Sequence, residues 1–358
     1  MNFNKYRTID LFAGIGGIRL GFEQTCRIRN VFSAEIDKYA CQTYKVNFED
    51  DPSCDVTKIN TKDIPDFDIL LAGFPCQAFS IAGKRCGFED TRGTLFFDVA
   101  RIIKAKRPKA FLLENVKGLV SHNQGKTLKT ILNVLEELNY KYSFKILNSK
   151  DYGVPQNRER IYIVGFDYDR YNKVDIDFKF PKSLNKSLKL KDILQENEVS
   201  NKYYLSEKYL NTLKAHKLRH EGKGNGFGFK ILDPSGIANA IVVGGMGRER
   251  NLIIDNKLTN FIPTTNKDGG INKELIRTLT PREWARLQGY PDTFKIPVSD
   301  TQAYKQFGNS VSVPVIYEIA KKLLSKLDFL EESISKDKVH DFDIKMRHNL
   351  SKQDLLVV

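Results

Sequence analysis

Residues 69–72, Ile-Leu-Leu-Ala, form an apolar run with no polar alternation, closed by Gly73 and Pro75. A short unbroken run of this kind fits a strand buried on both faces, as in a parallel sheet. Residues 110–113 repeat the signature and end at Glu114-Asn115. Two such strands confine the chain to the α/β class, where ligands gather beyond the strand ends. Pro75 therefore delivers Cys76 to the rim where chemistry is expected, ahead of a long loop, 77–94. Gly83, Gly87 and Gly93 are hinge positions in that loop, and Lys84, Arg85 and Arg92 are its basic residues. A buried structural cysteine beside a surface loop has the same signature.

The 358 residues suffice for two domains, or for one large domain carrying an insertion. No apolar run approaches membrane-spanning length, and the N-terminus lacks the apolar core of a signal peptide, so a cytosolic protein is expected. The five cysteines include no CxxC pair, which argues against a disulfide scaffold or a zinc ribbon. His216 and His220 have metal-ligand spacing, but their surroundings, KAHKLRHEGK, read as a solvated basic helix, and no metal is expected. The formal net charge of +13 favours a polyanionic partner, nucleic acid before acidic membrane. Ribosomal contacts or mere solubility would give the same excess.

Along the chain, residues 6–12 read as a first strand, followed by Ala13-Gly14-Ile15-Gly16-Gly17 and an amphipathic helix to about Gln24. A glycine-rich turn between strand and helix lets backbone N–H groups approach a ligand. A second strand, 31–34, ends at Glu35, where a nucleoside-binding sheet holds the acid for ribose hydroxyls. A third short strand is expected to end near Asp55; singly, each acid also reads as a helix cap or a solvated turn residue. Residues 94–106 and 127–138 have helical periodicity. Glu114, at the end of a buried strand, is either an acid with a raised pKa or a helix-capping residue. Residues 142–147 and 161–166 look like strands flanking the turn 152–160, YGVPQNRER. Arg158 and Arg160, one residue apart, point the same way on an extended chain and suit an anion or a carbonyl oxygen, unless the turn is merely an exposed basic one.

Beyond Phe180-Pro181 the β-α alternation lapses for about a hundred residues. GNGFGF, GGMGRER and Asp268–Gly270 then combine glycine, aromatic and arginine as a groove-moulding nucleic-acid surface would, although a loop-rich lid would look alike. Thr280-Pro281 and Glu283 form a capping box that opens a helix ending at Gly289. QFGNSV, 306–311, reads as a turn before a helix starting at Pro314. The tail from Glu331 is charged and is expected to be partly disordered or loosely docked.

The order of these segments resembles a DNA (cytosine-5)-methyltransferase over about residues 7–330. DLFAGIGG is similar to that family's cofactor loop, GFPCQAFS to its nucleophile motif and LLENVKGL to its acid motif. GVPQNRERIYIVG is similar to its paired-arginine motif and QFGNSV to the late motif that returns to the cofactor. The variable segment, with GIANAIVVGGMGRERNLIID, resembles in particular the HpaII-type enzymes that modify CCGG. The resemblance implies S-adenosylmethionine as cofactor, Cys76 as the nucleophile on carbon 6 of a flipped cytosine, and Glu114 as the acid at ring N3. It implies Arg160 on the cytosine O2, and Arg158 orienting Glu114 or a phosphate. For the cofactor it implies Phe12, Ala13, Gly14, Gly16 and Gly17 in the contact loop, Glu35 on the ribose and Ile36 on the adenine. Asp55 would meet the adenine amine, Pro75 and Leu95 would line the cavity, and Asn309 would sit near the methionine end. On the DNA side it points to Arg85, to Phe227 filling the gap of the flipped base, and to Arg248 and Arg250 as guanine readers. The Thr-Leu pair of many members has only Ala240-Ile241 as its counterpart, so that base-step contact does not carry over.

The implied fold is a mostly parallel, Rossmann-like sheet of the S-adenosylmethionine-dependent methyltransferase type, closed by an antiparallel hairpin strand. Its parts are a catalytic, cofactor-binding domain (1–181), an inserted target-recognition domain (182–279), a hinge and return (280–330) and the tail (331–358). The implied partner is double-stranded DNA, bound by a monomer in the bacterial cytoplasm, with a restriction endonuclease sharing the site without binding the enzyme. Three rivals remain: a tRNA cytosine-5 methyltransferase, a non-catalytic DNA-binding regulator, and an NAD oxidoreductase that gives no reason for Pro75-Cys76.

Overall fold

The computed structural model describes residues 6–75, 95–171, 174–184, 188–222, 228–244, 247–263 and 269–354, with side chains to residue 335. The chain begins with β1 (Tyr6–Leu11), α1 (Gly17–Glu23), β2 (Ile28–Ala34), α2 (Lys38–Phe48) and β3 (Ile69–Gly73). It continues with α3 (Leu95–Lys106), β4 (Ala110–Val116), α4 (Lys126–Glu137), β5 (Tyr140–Asn148), β6 (Gln156–Asn157), β7 (Glu159–Asp167) and α5 (Tyr168–Tyr171). Six strands form one sheet in the order β2-β1-β3-β4-β7-β5. β1, β2, β3 and β4 run parallel, while β7 lies antiparallel between β4 and β5.

Side-chain alternation sorts the central strands onto two faces. Leu70, Ala72, Phe111 and Leu113 pack with Phe96, Val99 and Ile103 of α3 and with Ile131 and Leu135 of α4. Ile69, Leu71, Ala110 and Leu112 pack on the other face with Ile18 and Phe22 of α1 and with Ile316, Ile319 and Leu323 of the C-terminal helix. Because both faces are covered, β3 and β4 have no polar alternation to show, and the apolar runs read from the sequence are these strands.

The insertion contains α6 (Glu207–Glu221), β8 (Ala238–Asn239), β9 (Leu252–Ile254) and β10 (Ile276–Thr278), and α7 (Pro281–Leu287), α8 (Asp300–Asn309) and α9 (Val313–Asp354) follow. It does not bury one core of its own. Leu205, Leu210, Leu213, Phe229 and Ile276 form a small cluster, and Tyr204 with Val199 and Leu258 forms another. Leu190, Leu232, Ala238, Ile241 and Ile253 instead join Trp284, Tyr304 and Phe307 of α7 and α8. A boundary drawn at 182–279 thus cuts through a shared core.

Three local expectations change. No strand ends near Asp55: Ser53 makes an isolated bridge with Glu35, and Asp55 caps the 3-10 turn Val56–Lys58 by accepting from Thr57 N. A two-residue contact leaves no period for the sequence to display. QFGNSV is not a turn through its length, because residues 306–309 are the last turn of α8. The tail is no loose end as it leaves the core: α9 continues to Asp354, with Leu330 buried and Glu331 accepting from Tyr171, Lys109 and Arg170.

Candidate active site

The carboxyl ends of β1, β2, β3 and β4 open into one cavity of about 740 Å³. At the end of β1 the chain turns sharply: Phe12 has φ 53 and Gly14 φ 55, a left-handed conformation that a phenylalanine adopts only under constraint. Ala13 N donates to Ala34 O at 3.0 Å, which keeps the turn beside the end of β2. Glu35, the residue just past the end of β2, accepts from Gly14 N at 2.8 Å, Ile36 N at 2.9 Å and Asp37 N at 2.8 Å. Its carboxylate fixes the glycine turn to the second strand, and acceptor capacity is left for a hydroxyl.

Phe12, Ala13, Gly14, Gly17, Glu35 and Ile36 line this cavity. Asp55, Pro75, Leu95 and Asn309 complete the expected wall, so the structure brings together ten of the eleven residues expected around a cofactor. Gly16 is the exception. Its Cβ would strike the ring of Phe48 at 2.2 Å, so it is a packing position behind the turn, at φ 79, and not part of the wall.

The floor of the cavity carries a buried acid. In the β4–β7 ladder Glu114 stands opposite Tyr162, which puts Arg160, two residues earlier on β7, diagonally beside it on the same face. Arg160 Nε lies 3.1 Å from Glu114 Oε1, with 16% and 11% of the two side chains exposed. Burial raises the Glu114 pKa above 4.5; Arg160 and, more weakly, Arg158 pull it down without cancelling the effect. The helix-capping alternative for Glu114 does not apply, because residues 110–116 are all in β4.

Arg158 departs from expectation. It is buried at 1% exposure and donates to the backbone carbonyls of Ile241, Gly308 and Ser310, so it is not poised on a phosphate and makes no direct bond to Glu114. It falls one residue short of β7, where the chain turns inward. Arg248 and Arg250 are exposed on the insertion, away from the cavity wall, with the Arg248 guanidinium over the Tyr304 ring at 5.3 Å. Cys76, Arg85 and Phe227 lie outside the described residues, as does the loop 77–94; Pro75, which precedes Cys76, is in the wall.

Two features had no reading in the sequence. Lys305 of α8 donates to Asp37, the N-cap of α2, at 2.6 Å across the cavity rim. The pair is 268 residues apart, a separation that no local pattern encodes. Asn115 donates to Phe74 O at 2.8 Å and so ties the end of β4 to the segment that leads to Cys76; only its place at a strand end was visible.

Comparison with known proteins supplies the remaining term. The C-5 cytosine-specific DNA methylase profile matches residues 6–325. This chain belongs to the C-5 cytosine-specific DNA methylase family. It is 60% identical over 328 residues to the type II methyltransferase M.HpaII of Haemophilus parainfluenzae, spanning 90% of each chain. It is 52% identical over 325 residues to the type II methyltransferase M1.ScrFI of Lactococcus lactis subsp. cremoris, covering 90% of this chain and 79% of that one. Its fold is shared by the Entamoeba histolytica methyltransferase EhMeth, with a TM-score of 0.69, 22% identity, and coverage of 90% and 99% of the two chains.

The methyltransferase therefore transfers a methyl group from S-adenosylmethionine to carbon 5 of cytosine in DNA. The cavity suits that cofactor on its own terms. Ile36 presents an apolar side chain, 75% exposed, beside the ribose-type acceptor Glu35, as a nucleoside base needs. The cations of the wall, Arg160 and Lys305, already face Glu114 and Asp37. Among the described residues, the wall offers a pyrophosphate no cation without a carboxylate partner, which fits a nucleoside without phosphates better than a dinucleotide.

Proposed function

We propose that this methyltransferase modifies a cytosine within CCGG in duplex DNA and protects bacterial DNA as the modification half of a restriction–modification pair. The resemblance of the insertion to HpaII-type enzymes that modify CCGG supports the site. The likeness to two type II methyltransferases supports the setting. It works as a monomer on DNA in the cytoplasm, and its cognate endonuclease shares the sequence and not a binding surface.

The reading rests on one observation: the Glu114–Arg160 pair forms the floor of the cavity whose wall contains Glu35, Ile36 and Asn309. Carbon 5 of cytosine is a weak nucleophile, and the base is unreachable in a stacked duplex, so it must be extruded into the cavity. The Cys76 thiolate adds to carbon 6, and the ring electrons move toward N3. In its protonated form, which burial favours, Glu114 gives its proton to N3 and so stabilises the charge that the addition creates. Arg160 orients Glu114 and turns its remaining donors to the cytosine O2. Glu35, Ile36, Gly14 and Asn309 would hold S-adenosylmethionine, whose sulfonium would supply the methyl group to carbon 5. Loss of the carbon 5 proton to water then expels the Cys76 thiolate, and N3 returns its proton to Glu114.

The test is a CCGG duplex with fluorine on carbon 5 of the target base, which blocks the final proton loss. With cofactor, the wild type should form an adduct that survives denaturation, and Cys76→Ala should form none. A wild-type enzyme that methylates DNA yet leaves no adduct would refute the thiolate mechanism. A tRNA substrate is tested beside the duplex with labelled cofactor.

A further inference from the structure

Arg158 is a fully buried guanidinium that, among the described residues, has no ion pair; its nearest groups are carbonyl oxygens from two distant segments. Nη1 donates to Ile241 O at 2.7 Å, and Nη2 donates to Gly308 O at 3.0 Å and Ser310 O at 2.6 Å. Ile241 belongs to the inserted segment that leads to Arg248 and Arg250, whereas Gly308 and Ser310 flank Asn309 on the cavity wall. Arg158 itself does not line the cavity.

The same junction is stitched twice more. Gln156 accepts from Ile241 N at 3.0 Å and donates to Leu287 O at 2.8 Å and Gln288 Oε1 at 3.2 Å. Gln288 in turn donates to Phe307 O at 2.8 Å and Ser310 O at 3.2 Å. Gly308 has no room for a side chain, since its Cβ would lie 2.7 Å from Val243 Cγ2 and 3.3 Å from the Val242 carbonyl carbon. The backbones of 241–243 and 308–310 are therefore in direct contact, with Arg158 bonded to both. A second link runs through Arg248, whose guanidinium lies over the ring of Tyr304 on α8, five residues before Asn309.

A buried guanidinium is costly unless its donors are satisfied; Arg158 Nε has no partner among the described residues, so the side chain depends on its three carbonyl bonds, which weaken steeply when geometry is lost. A shift of either segment by about an ångström breaks bonds to the other, so the two segments keep their mutual position or lose it together. We propose that Arg158 is a positioning residue that couples recognition of the target site to cofactor binding: DNA held by the inserted segment sets the 308–310 wall, and a filled cofactor cavity sets the inserted segment. The coupling is reciprocal by thermodynamic necessity. The proposal rests on the function proposed above, in that it takes the insertion to be the DNA-reading part.

The test measures dissociation constants for S-adenosylhomocysteine alone and on a CCGG duplex, for the wild type, Arg158→Met and Arg158→Lys. The wild type should bind the nucleoside more tightly on DNA, by a factor within the usual range of roughly 5–150-fold. Arg158→Met should bring that ratio close to one, and Arg158→Lys, which keeps a charge and part of the donor set, should fall between. A merely structural role predicts weaker binding or a lower melting temperature with the ratio unchanged, and that result overturns the proposal. If neither variant folds, amide hydrogen exchange on the wild type decides: a CCGG duplex without cofactor should slow exchange across 306–313, and a duplex lacking the site should not. Equal exchange with both duplexes overturns the coupling. Failure to methylate CCGG would overturn the functional reading; methylation with a wild-type ratio of one would overturn the coupling alone.

Discussion

Glu114 is held at the end of β4 by one guanidinium, and burial outweighs that partner, so its native pKa lies above 4.5. Its neutral form is the one that can protonate N3, and the neutral fraction falls as pH rises through the native pKa. Turnover should therefore decline on the alkaline side with Glu114, and Glu114→Gln should lower kcat by about 10²–10⁴-fold while removing that limb. A Gln variant with a wild-type pH profile would take Glu114 out of the proton transfer. Asp10, in β1 behind the glycine turn, is a second buried acid. It is 1% exposed, its Oδ1 has no partner among the described residues, and its pKa is raised by burial against the pull of Arg19. Glu35 and Glu23 add to the rise, and Tyr44 opposes it. The unfolded chain titrates near 3.8 and the native state well above, so the native state binds the proton more tightly. Its stabilising effect is full below 3.8 and is lost as pH rises through the native pKa. Asp10→Asn cannot ionise, so its stability relative to the wild type should increase between pH 4 and pH 8; urea unfolding at both pH values would show it, and a constant difference would contradict it.

The entry to α7 shows what a pattern in sequence can and cannot encode about an element. Thr280, Pro281 and Glu283 were legible as a capping box, and the helix starts there, with Thr280 N donating to Glu283 Oε2 at 2.7 Å. The rest of the Glu283 environment was not legible. Arg277 of β10, wholly buried, reaches both oxygens of Glu283 at 2.8 Å and Asp255 Oδ2 at 2.7 Å. Arg277→Met leaves two buried carboxylates without their common cation, which should cost about 3–5 kcal/mol of unfolding free energy. Thr280→Ala should cost about 1 kcal/mol. Urea denaturation of the two variants separates these effects, and equal losses would show that the triad adds nothing beyond the cap. The same division explains the other elements. β3 and β4 were visible because burial on both faces writes an unbroken apolar run into the sequence. The Ser53 bridge, the Lys305–Asp37 pair and the carbonyls around Arg158 depend on partners far along the chain. Period-2 logic placed Arg158 and Arg160 on one side of an extended segment, yet their neighbours, which fix their roles, come from β4 in one case and from α8 and the insertion in the other.

At the scale of the whole molecule the excess of +13 and the position of the two exposed arginines make different claims about DNA. Net charge draws in a duplex whatever its sequence, through counterion release, and so appears as a steep fall of affinity with salt. Base reading requires a guanidinium held in one place, and the insertion supplies that for the turn containing Arg248 and Arg250. Asn239 N donates to Asn251 Oδ1 at 2.8 Å, and Asn239 Nδ2 donates to Arg250 O at 2.7 Å, which ties the turn to β8. β8 pairs with β6, next to Arg158. The turn is thus anchored, through this separate two-stranded pair, to the segment that leads into β7, whereas lysines such as Lys208 and Lys217 lie along α6. If Arg248 and Arg250 read guanine, each Ala variant should lose about 1–3 kcal/mol of discrimination between CCGG and a duplex with one guanine replaced. The slope of log affinity against log salt should then stay near the wild-type value. If they only meet phosphates, discrimination should persist while the slope falls by about one unit. Competition binding at two salt concentrations, with both duplexes, distinguishes the outcomes in one experiment. Arg248→Ala has a further expected consequence, because its ring partner Tyr304 is in the helix that ends at Asn309: its effect should grow when S-adenosylhomocysteine is present. An Arg248 effect that is indifferent to the nucleoside would confine that residue to the DNA surface.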